Sequence, residues 1–293
     1  FSSIELTQYS DLTVTKYESI SEVLELYYSE RNTYTRIRQK SADLRKHVNT
    51  LLERNQKKYS LQMKQLKDSE KREKYKVYDD NKIIKIPIDN TKTPAENAQK
   101  YFDKYGKMKR TAEALNELIL ETKGQIDHLE SIQNSLDIAL SADDLVQIKD
   151  ELIEYGFIKK GRSTKKQKVK SKPFHYVSSD GFDMYVGKNN YQNDELTFKL
   201  ATGNDWWFHA KGMPGSHVIV KAENKELPDS TFEEAGKLAG YYSKGKNADK
   251  VEIDYLQKKN VKKPNGAAAG FVVYYTNYSL TIHPDISDIR QIE

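Results

Sequence analysis

The chain has 293 residues, 48 basic against 43 acidic for a net charge of +5, 37% hydrophobic residues and no cysteine. That length suits about two domains, and the composition excludes a disulfide framework and a cysteine zinc site. No run of about 18 apolar residues is present for a membrane-crossing helix. Because the two signs of charge nearly cancel, local clustering is the guide to polyanion binding. The low apolar content suits a long solvated coil joined to a modest core. The sequence opens at Phe1 with no apolar targeting segment, as expected of a fragment of a longer protein.

Residues 20–76 carry a rough heptad seam through Tyr27, Tyr34, Ile37, Ser41, Leu44, Val48 and Leu51, with Ser19 and Glu22 offering a capping box. Asn55 and Gln62 fall on the same seam, so packing is expected to loosen toward Tyr75. The tip follows, "VYDDNKIIKIPIDNTKT". Ile84, Ile86 and Ile88 alternate with Lys85 and Pro87 as one short strand, whose partner is expected from Lys76, Val77 and Tyr78, from residues missing after Tyr78, or from another chain.

The clearest pattern spans residues 98–140. Steps of three and four pick out Ala98, Tyr101, Tyr105, Met108, Ala112, Leu115, Ile119, Thr122, Ile126, Leu129, Gln133, Leu136 and Leu140. Thr93, Pro94 and Glu96 mark its start as N-cap, first helical residue and capping-box partner. Neither helix can bury its stripe alone. The two are expected to form a long antiparallel coiled-coil hairpin with arms of about 70–85 Å, with Tyr27, Tyr34, Tyr101 and Tyr105 as seam packing. A short helix capped by Ser141 runs to Tyr155 and stops at Gly156.

Residues 159–173 form a basic linker, "KKGRSTKKQKVKSKP", with Arg162, Lys165, Lys166, Lys168, Lys170 and Lys172 and no acid. From Phe174 the period changes to two. "FHYVSS", "FDMYVGK", "LTFKLA", "WWFHAK", "SHVIVKA", "KVEIDYL" and "FVVYYTNYSLTIHPD" read as short strands. "STFEEAGKLAGYYSKGK" reads as a helix with Ser230 as N-cap. The expected architecture is therefore a coiled-coil hairpin over 1–158, the linker 159–173, and a small α+β domain over 174–293.

The densest stretch is "GNDWWFHAKGMPGSHVIV", residues 203–220. Trp206 and Trp207 are neighbours, so on a strand they face opposite sides. Trp206 is expected in the core, and Trp207, with His209 on its own face, is placed to stack on a base. His209 and Lys211 read either as a surface site or as core; His217 lies beyond the Gly-Met-Pro-Gly turn. The amides Asn189, Asn190 and Asn193 after Lys188 either turn a hairpin or meet RNA phosphates and base edges. Lys258, Lys259, Lys262 and Lys263, with Lys244 nearby, form a solvated face or a phosphate-binding one. All are expected to converge on one electropositive patch. His209 with His217, Asp205 and Asp183 shows no recognised metal-ligand spacing. Ser216 beside His217 lacks the nucleophile-elbow glycines. Neither these groups nor a His209–Asp205 acid–base pair makes a convincing catalytic constellation. The sequence thus points to a binding protein without cofactor or metal.

Residues 174–284 resemble the NFACT-R domain, through "SSDGFDMYVGKNNYQNDELTFKLATGNDWWFHAKGMPGSHVIV" and "AGKLAGYYSKGKNADKVEIDYLQKKNVKKPNGAAAGFVVY". A coil directly before that domain is also the arrangement of the FbpA / RqcH / NEMF family. There an N-terminal domain and a helix-hairpin-helix unit precede the coil; this sequence is expected to hold neither. The family's Asp-Arg tRNA-recognition residues belong to that N-terminal domain and have no position here. The resemblance implies RNA and ribosome binding in ribosome-associated quality control, with the large ribosomal subunit and tRNA or rRNA as partners and alanine tailing of stalled chains by the full-length protein in the cytoplasm. It implies, as the alternative, a fibronectin- or fibrinogen-binding adhesin on the surface of a Gram-positive cell.

Overall fold

The computed structural model describes residues 19–74, 87–160 and 171–292. The strand expected at Ile84 and Ile86, its suggested partner at 76–78, and linker residues Arg162, Lys165, Lys166, Lys168 and Lys170 lie outside these. The chain divides into two compact units, Phe1–His47 with Ser131–Glu293, and Val48–Glu130.

The helical part begins with α1 (Ile20–Lys40), which Ser19 caps by accepting from the Glu22 amide at 3.2 Å. Its path to α2 (Ala42–Lys74) is interrupted at Ser41, whose hydroxyl donates to Arg38 O and accepts from Arg45 Nε. The expected single first helix is therefore two. Tyr27 and Tyr34 are not seam packing: they are half-exposed, and the Arg31 and Arg38 guanidinium groups lie 5.9 Å from their ring centroids and donate to their hydroxyls. α3 (Pro94–Ile138) starts where the sequence places it, with Thr93 and Glu96 capping each other. Its 45 residues extend for about 68 Å at the rise of an α-helix.

In the unit Val48–Glu130, α3 buries Leu115, Ile119, Thr122, Ile126 and Leu129, each on the expected seam, while α2 buries Val48, Leu52 and Gln62. Past Ser131 the buried stripe moves to Ile132, Ser135, Leu136 and Ala139, leaving Gln133 half-buried and Leu140 exposed. Leu136 keeps its seam place; the other row moves one residue earlier, opposite to the drift of a straight helix against a seven-residue repeat.

The other unit holds a seven-stranded antiparallel sheet in the order β6-β5-β3-β4-β2-β1-β7. The strands are β1 (Phe174–Val177), β2 (Asp183–Val186), β3 (Trp206–Ala210), β4 (Val218–Val220), β5 (Val251–Gln257), β6 (Tyr278–Ile282) and β7 (Arg290–Gln291). Both faces are covered. On one, Met184, Val186, Phe208, Val218, Val220 and Ile253 pack against Ala235, Leu238 and Ala239 of α6 (Asp229–Tyr241). On the other, Trp207, Ile219 and Leu256 meet Leu196, Ala201, Val261, Val272 and Tyr274.

Three elements differ from the expected strand-and-cap pattern. Of "FVVYYTNYSLTIHPD" only Tyr278–Ile282 is a strand, with Val273 in an isolated bridge to Lys262. "LTFKLA" is not a strand: α5 (Asn190–Glu195) continues into a π-helical turn, Leu196–Leu200, closed by Ala201 N donating to Leu196 O at 2.9 Å. That turn buries the consecutive Leu196 and Thr197, which a strand would send to opposite faces. α6 starts at Asp229, not after Ser230, because the Ser230 and Thr231 hydroxyls both donate to Asp180. α4 (Ala142–Glu154) has the expected Ser141 cap, reciprocated by Asp144, and ends at Gly156 with φ +74°.

Asp205 holds the entry to β3. Burial disfavours its charge, but the Lys221 ammonium, the Thr202 hydroxyl and the amides of Thr202 and Ala222 keep its pKa below the usual carboxylate range. Asp205→Ala strands the Lys221 charge and two amides. We expect a loss of about 2–4 kcal/mol, seen as a lower urea midpoint; an unchanged midpoint would contradict this account of Asp205.

Candidate nucleic-acid interface

Each candidate residue is placed by the element that carries it. The amides come first. Asn189 caps α5 through its Oδ1, which accepts from Gln192 N, while its Nδ2 donates to Gln147 Oε1 on α4 at 2.6 Å. Asn190 Nδ2 donates to Ser131 Oγ and Glu151 Oε1, both at 2.7 Å. Asn193 Oδ1 accepts from His217 N at 3.0 Å. All three are buried. The amide-rich loop therefore fastens the sheet to α4 and the end of α3, and its polar atoms are committed inside the protein. They are not an RNA-reading surface.

The tryptophans exchange their expected roles. Trp207 is wholly buried, stacked on His209 with centroids 5.6 Å apart and edge-on to His217 at 5.1 Å. Trp206 is the half-buried one, edge-on to Phe232 at 4.8 Å. Trp207 and His209 do share a face, as the strand period requires, but the segment carrying Val272 and Tyr274 covers the indole. A base cannot stack there.

His217 is buried as well. Thr197 Oγ1 lies 2.8 Å from its Nδ1, and burial pushes its pKa well below the usual value. His209 keeps part of its surface, yet burial lowers its pKa from 6.5 to about 4, against a backbone hydrogen bond to Gly215 that works the other way. It is neutral near pH 7 and offers no cation to a phosphate. Asp205 lies beyond the opposite end of β3 from His209, paired with Lys221, so the two make no acid–base pair. Among the described residues, no three His, Asp or Glu side chains gather to hold a metal ion.

The lysines divide into two groups. At the carboxyl end of β3, Lys211 pairs with Glu252. The turn that follows uses Gly212 at φ +66° and lies beside residues 242–244, with Lys244 N donating to Pro214 O. Here a ladder of rings is capped by cations. Lys188 Nζ sits 4.4 Å over Phe174, which stacks on Tyr242; Tyr242 meets Tyr241 edge-on, and Lys246 Nζ sits 3.7 Å over Tyr241. Lys172, the one described linker candidate, is exposed just before β1.

The second group lies at the amino end of β3, where Lys258 N donates to Asp205 O and Lys259 N to Gly203 O. Five residues of strand rise, about 17 Å, separate the two ends. The expected single patch is thus two. Lys258 Nζ lies 5.7 Å from the Phe198 centroid on the π-helical turn, beside exposed Lys199. Lys263 is spent on Asp194. Lys259 and Lys262 are exposed and make no ion pair among the described residues. Lys262 pairs across with Val273, which stands between Phe271 and Tyr275, both strongly exposed. Sequence reasoning missed Phe198, Lys199, Phe271 and Tyr275. The available signal was an aromatic at each end of "FVVYY", spaced to share a face opposite a lysine-rich run.

Exposed cations interleaved with exposed rings form the surface that a nucleic-acid backbone and its bases need. On this fold, with its site, the comparisons bear directly. Residues 1–81 and 77–172 match the family of NFACT N-terminal and middle domains, and residues 172–275 match the NFACT protein RNA binding domain. The chain belongs to the NFACT family. It is 36% identical to the Rqc2 homolog RqcH of Streptococcus suis, over 94% of this chain and 54% of that protein. To the Bacillus subtilis Rqc2 homolog RqcH it is 31% identical, over 95% and 53%. The chain spans about half the length of these curated relatives. Among solved structures it resembles the C-terminal part of the fibronectin/fibrinogen-binding protein from Streptococcus suis, with TM-score 0.73 and 37% identity, over 87% of this chain and 99% of that one.

The depressed pKa of His209 sets a pH dependence. The folded-state pKa of His209 is depressed, so its share of stability is complete above pH 6.5 and is lost as pH falls toward 4, where the unfolded chain takes up the proton first. The loss is on the order of 3 kcal/mol at pH 4, and His217 adds to it in the same direction. In an NMR titration we expect the His209 ring to stay neutral down to about pH 5; a midpoint near 6.5 contradicts the packing described here.

Proposed function

We propose that this chain is the RNA- and ribosome-binding part of a ribosome-associated quality-control factor, which engages stalled large subunits and holds tRNA or rRNA, with alanine tailing of the nascent chain performed by the full-length protein. One observation carries the reading. Exposed Lys259, Lys262, Phe271 and Tyr275, with the half-buried Lys258 and Phe198, supply cations and rings within the segment that matches the NFACT RNA binding domain. The RqcH relatives support the ribosomal setting by their names. This reading places the protein in the cytoplasm. No described helix is long and apolar enough to cross a membrane.

The long helices fit a lever. The buried seam of α3 and the apolar positions of α2 suit an antiparallel coiled-coil hairpin, stiff enough to reach across a ribosomal interface. The chain contributes positioning and no bond-making step. A fibronectin- or fibrinogen-binding adhesin is the other reading, and it rests on the name of the Streptococcus suis protein alone.

Binding measured by fluorescence anisotropy to unmodified tRNA and to purified large subunits should weaken steeply with salt. Replacing both Lys259 and Lys262 by Ala should lower the log–log salt slope by roughly 1–2 and weaken binding about tenfold at moderate salt. Phe271→Ala with Tyr275→Ala should weaken binding at every salt concentration and leave the slope in place. Affinity indifferent to salt, or unaltered in the lysine variant, refutes the proposed surface.

A further inference from the structure

The strand β6 ends the sheet. It pairs with β5 along one side, and among the described residues no further strand lies along its other side. Natural sheets guard such an edge with lysines, prolines or bulges, because its open N–H and C=O groups template pairing with another chain. The β6 sequence, Tyr-Ser-Leu-Thr-Ile, has no charge and no proline, and its first residue, Tyr278, is 64% exposed.

Beside this edge runs a groove of about 530 Å³, bounded by α6, β6 and the turn at 285–288. Its floor is apolar: Phe232, Tyr255 and Leu280. Its rim is acidic: Asp229, Glu233, Asp285 and Asp288. Of the two basic groups that line it, Lys237 pairs with Glu233 at 2.8 Å, and His283 Nδ1 lies 2.8 Å from the backbone oxygen of Asp249. The groove is therefore negative on a chain of net charge +5.

Charge selects the occupant. A nucleic-acid backbone is repelled by this rim. A second copy paired edge to edge through β6 would set the two acidic rims against each other. A cationic polypeptide meets neither penalty, and an extended one satisfies the open backbone groups of β6.

We propose that β6 and its groove receive a lysine- or arginine-bearing segment of another protein, bound in extended conformation as an added strand. Main-chain hydrogen bonds to β6 hold the segment, and pockets for alternate side chains select it. Every second side chain of the added strand points to the α6 side. There Phe232 and Leu280 take apolar groups, and Asp229, Asp285 and Asp288 take cationic ones. The groove lining shares no residue with Lys259–Lys262, so the proposal allows a protein partner and RNA to be held together.

The test uses the 293-residue chain and a fluorescein-labelled octapeptide of alternating lysine and valine. Three peptides are compared by anisotropy: this one, its glutamate-for-lysine counterpart, and a lysine–valine peptide N-methylated at every second residue. The first should bind at least tenfold more tightly than either control, and the amides of Tyr278–Ile282 should gain hydrogen-exchange protection only with it. Asp229→Lys combined with Asp288→Lys, both at exposed positions, should weaken peptide binding at least tenfold while tRNA binding is retained. The Lys259/Lys262 variant should show the reverse. Equal binding of the N-methylated peptide removes the added-strand geometry, and equal binding of the glutamate peptide removes the charge argument. Protection of β6 that rises with protein concentration in the absence of peptide assigns the edge to self-pairing. Each of these results overturns the proposal, and none of them bears on the RNA surface.

Discussion

Covering the sheet on both faces is the constraint from which the rest follows. α6 seals one side of the central strands, and the π-helical turn with the segment through Tyr274 seals the other. With Trp207, Phe208, Ile219 and Ile253 all wholly buried, the central strands offer a partner no open face among the described residues. Binding chemistry is pushed to the strand ends and the edges. The lysines of the strand domain gather there, and there the exposed Phe271, Tyr275 and Tyr278 stand.

The same constraint explains why amides dominate the loop between β2 and β3. The chain leaving Val186 must turn beneath α4 and the end of α3, where water is excluded. Buried polar groups need partners, and Asn189, Asn190, Gln192 and Asn193 supply them to Gln147, Glu151, Ser131, Ser171 and the backbone of His217. A Cβ on Gly187 would fall on Asn193 Oδ1, so the close approach there admits only glycine without a shift. This network joins helix to sheet within one unit and keeps the strand ends in fixed relation. Carboxylates line the groove beside β6.

Much of the fold was legible in the residues. Heptad spacing gave α3 and its buried positions from Leu115 to Leu129, and Thr93, Ser141 and Gly156 marked helix ends that the structure places as read. These features depend on neighbours three or four residues apart, so local sequence carries them. The misreadings share one cause. "LTFKLA" has the alternation of a strand, but Thr197 is drawn to the His217 ring and Leu196 into the Trp207 cluster, so the chain coils. Tyr27 and Tyr34 have seam spacing, yet arginines one turn on take their rings and hydroxyls at the surface.

Sequence by itself determined that long helices precede a small α+β domain, that Trp206 and Trp207 face opposite ways, and that lysines cluster after β5. Period, capping and charge are properties of the chain's own neighbours. Only the tertiary structure decided which tryptophan is sealed, that the asparagines point inward, that His209 is neutral, and that the lysines stand at two ends of β3. Exposure and pairing are set by residues far apart in the chain, such as Tyr274 over Trp207, Glu151 against Asn190 and Glu252 beside Lys211. No local pattern encodes which distant segment will arrive to cover a given side chain.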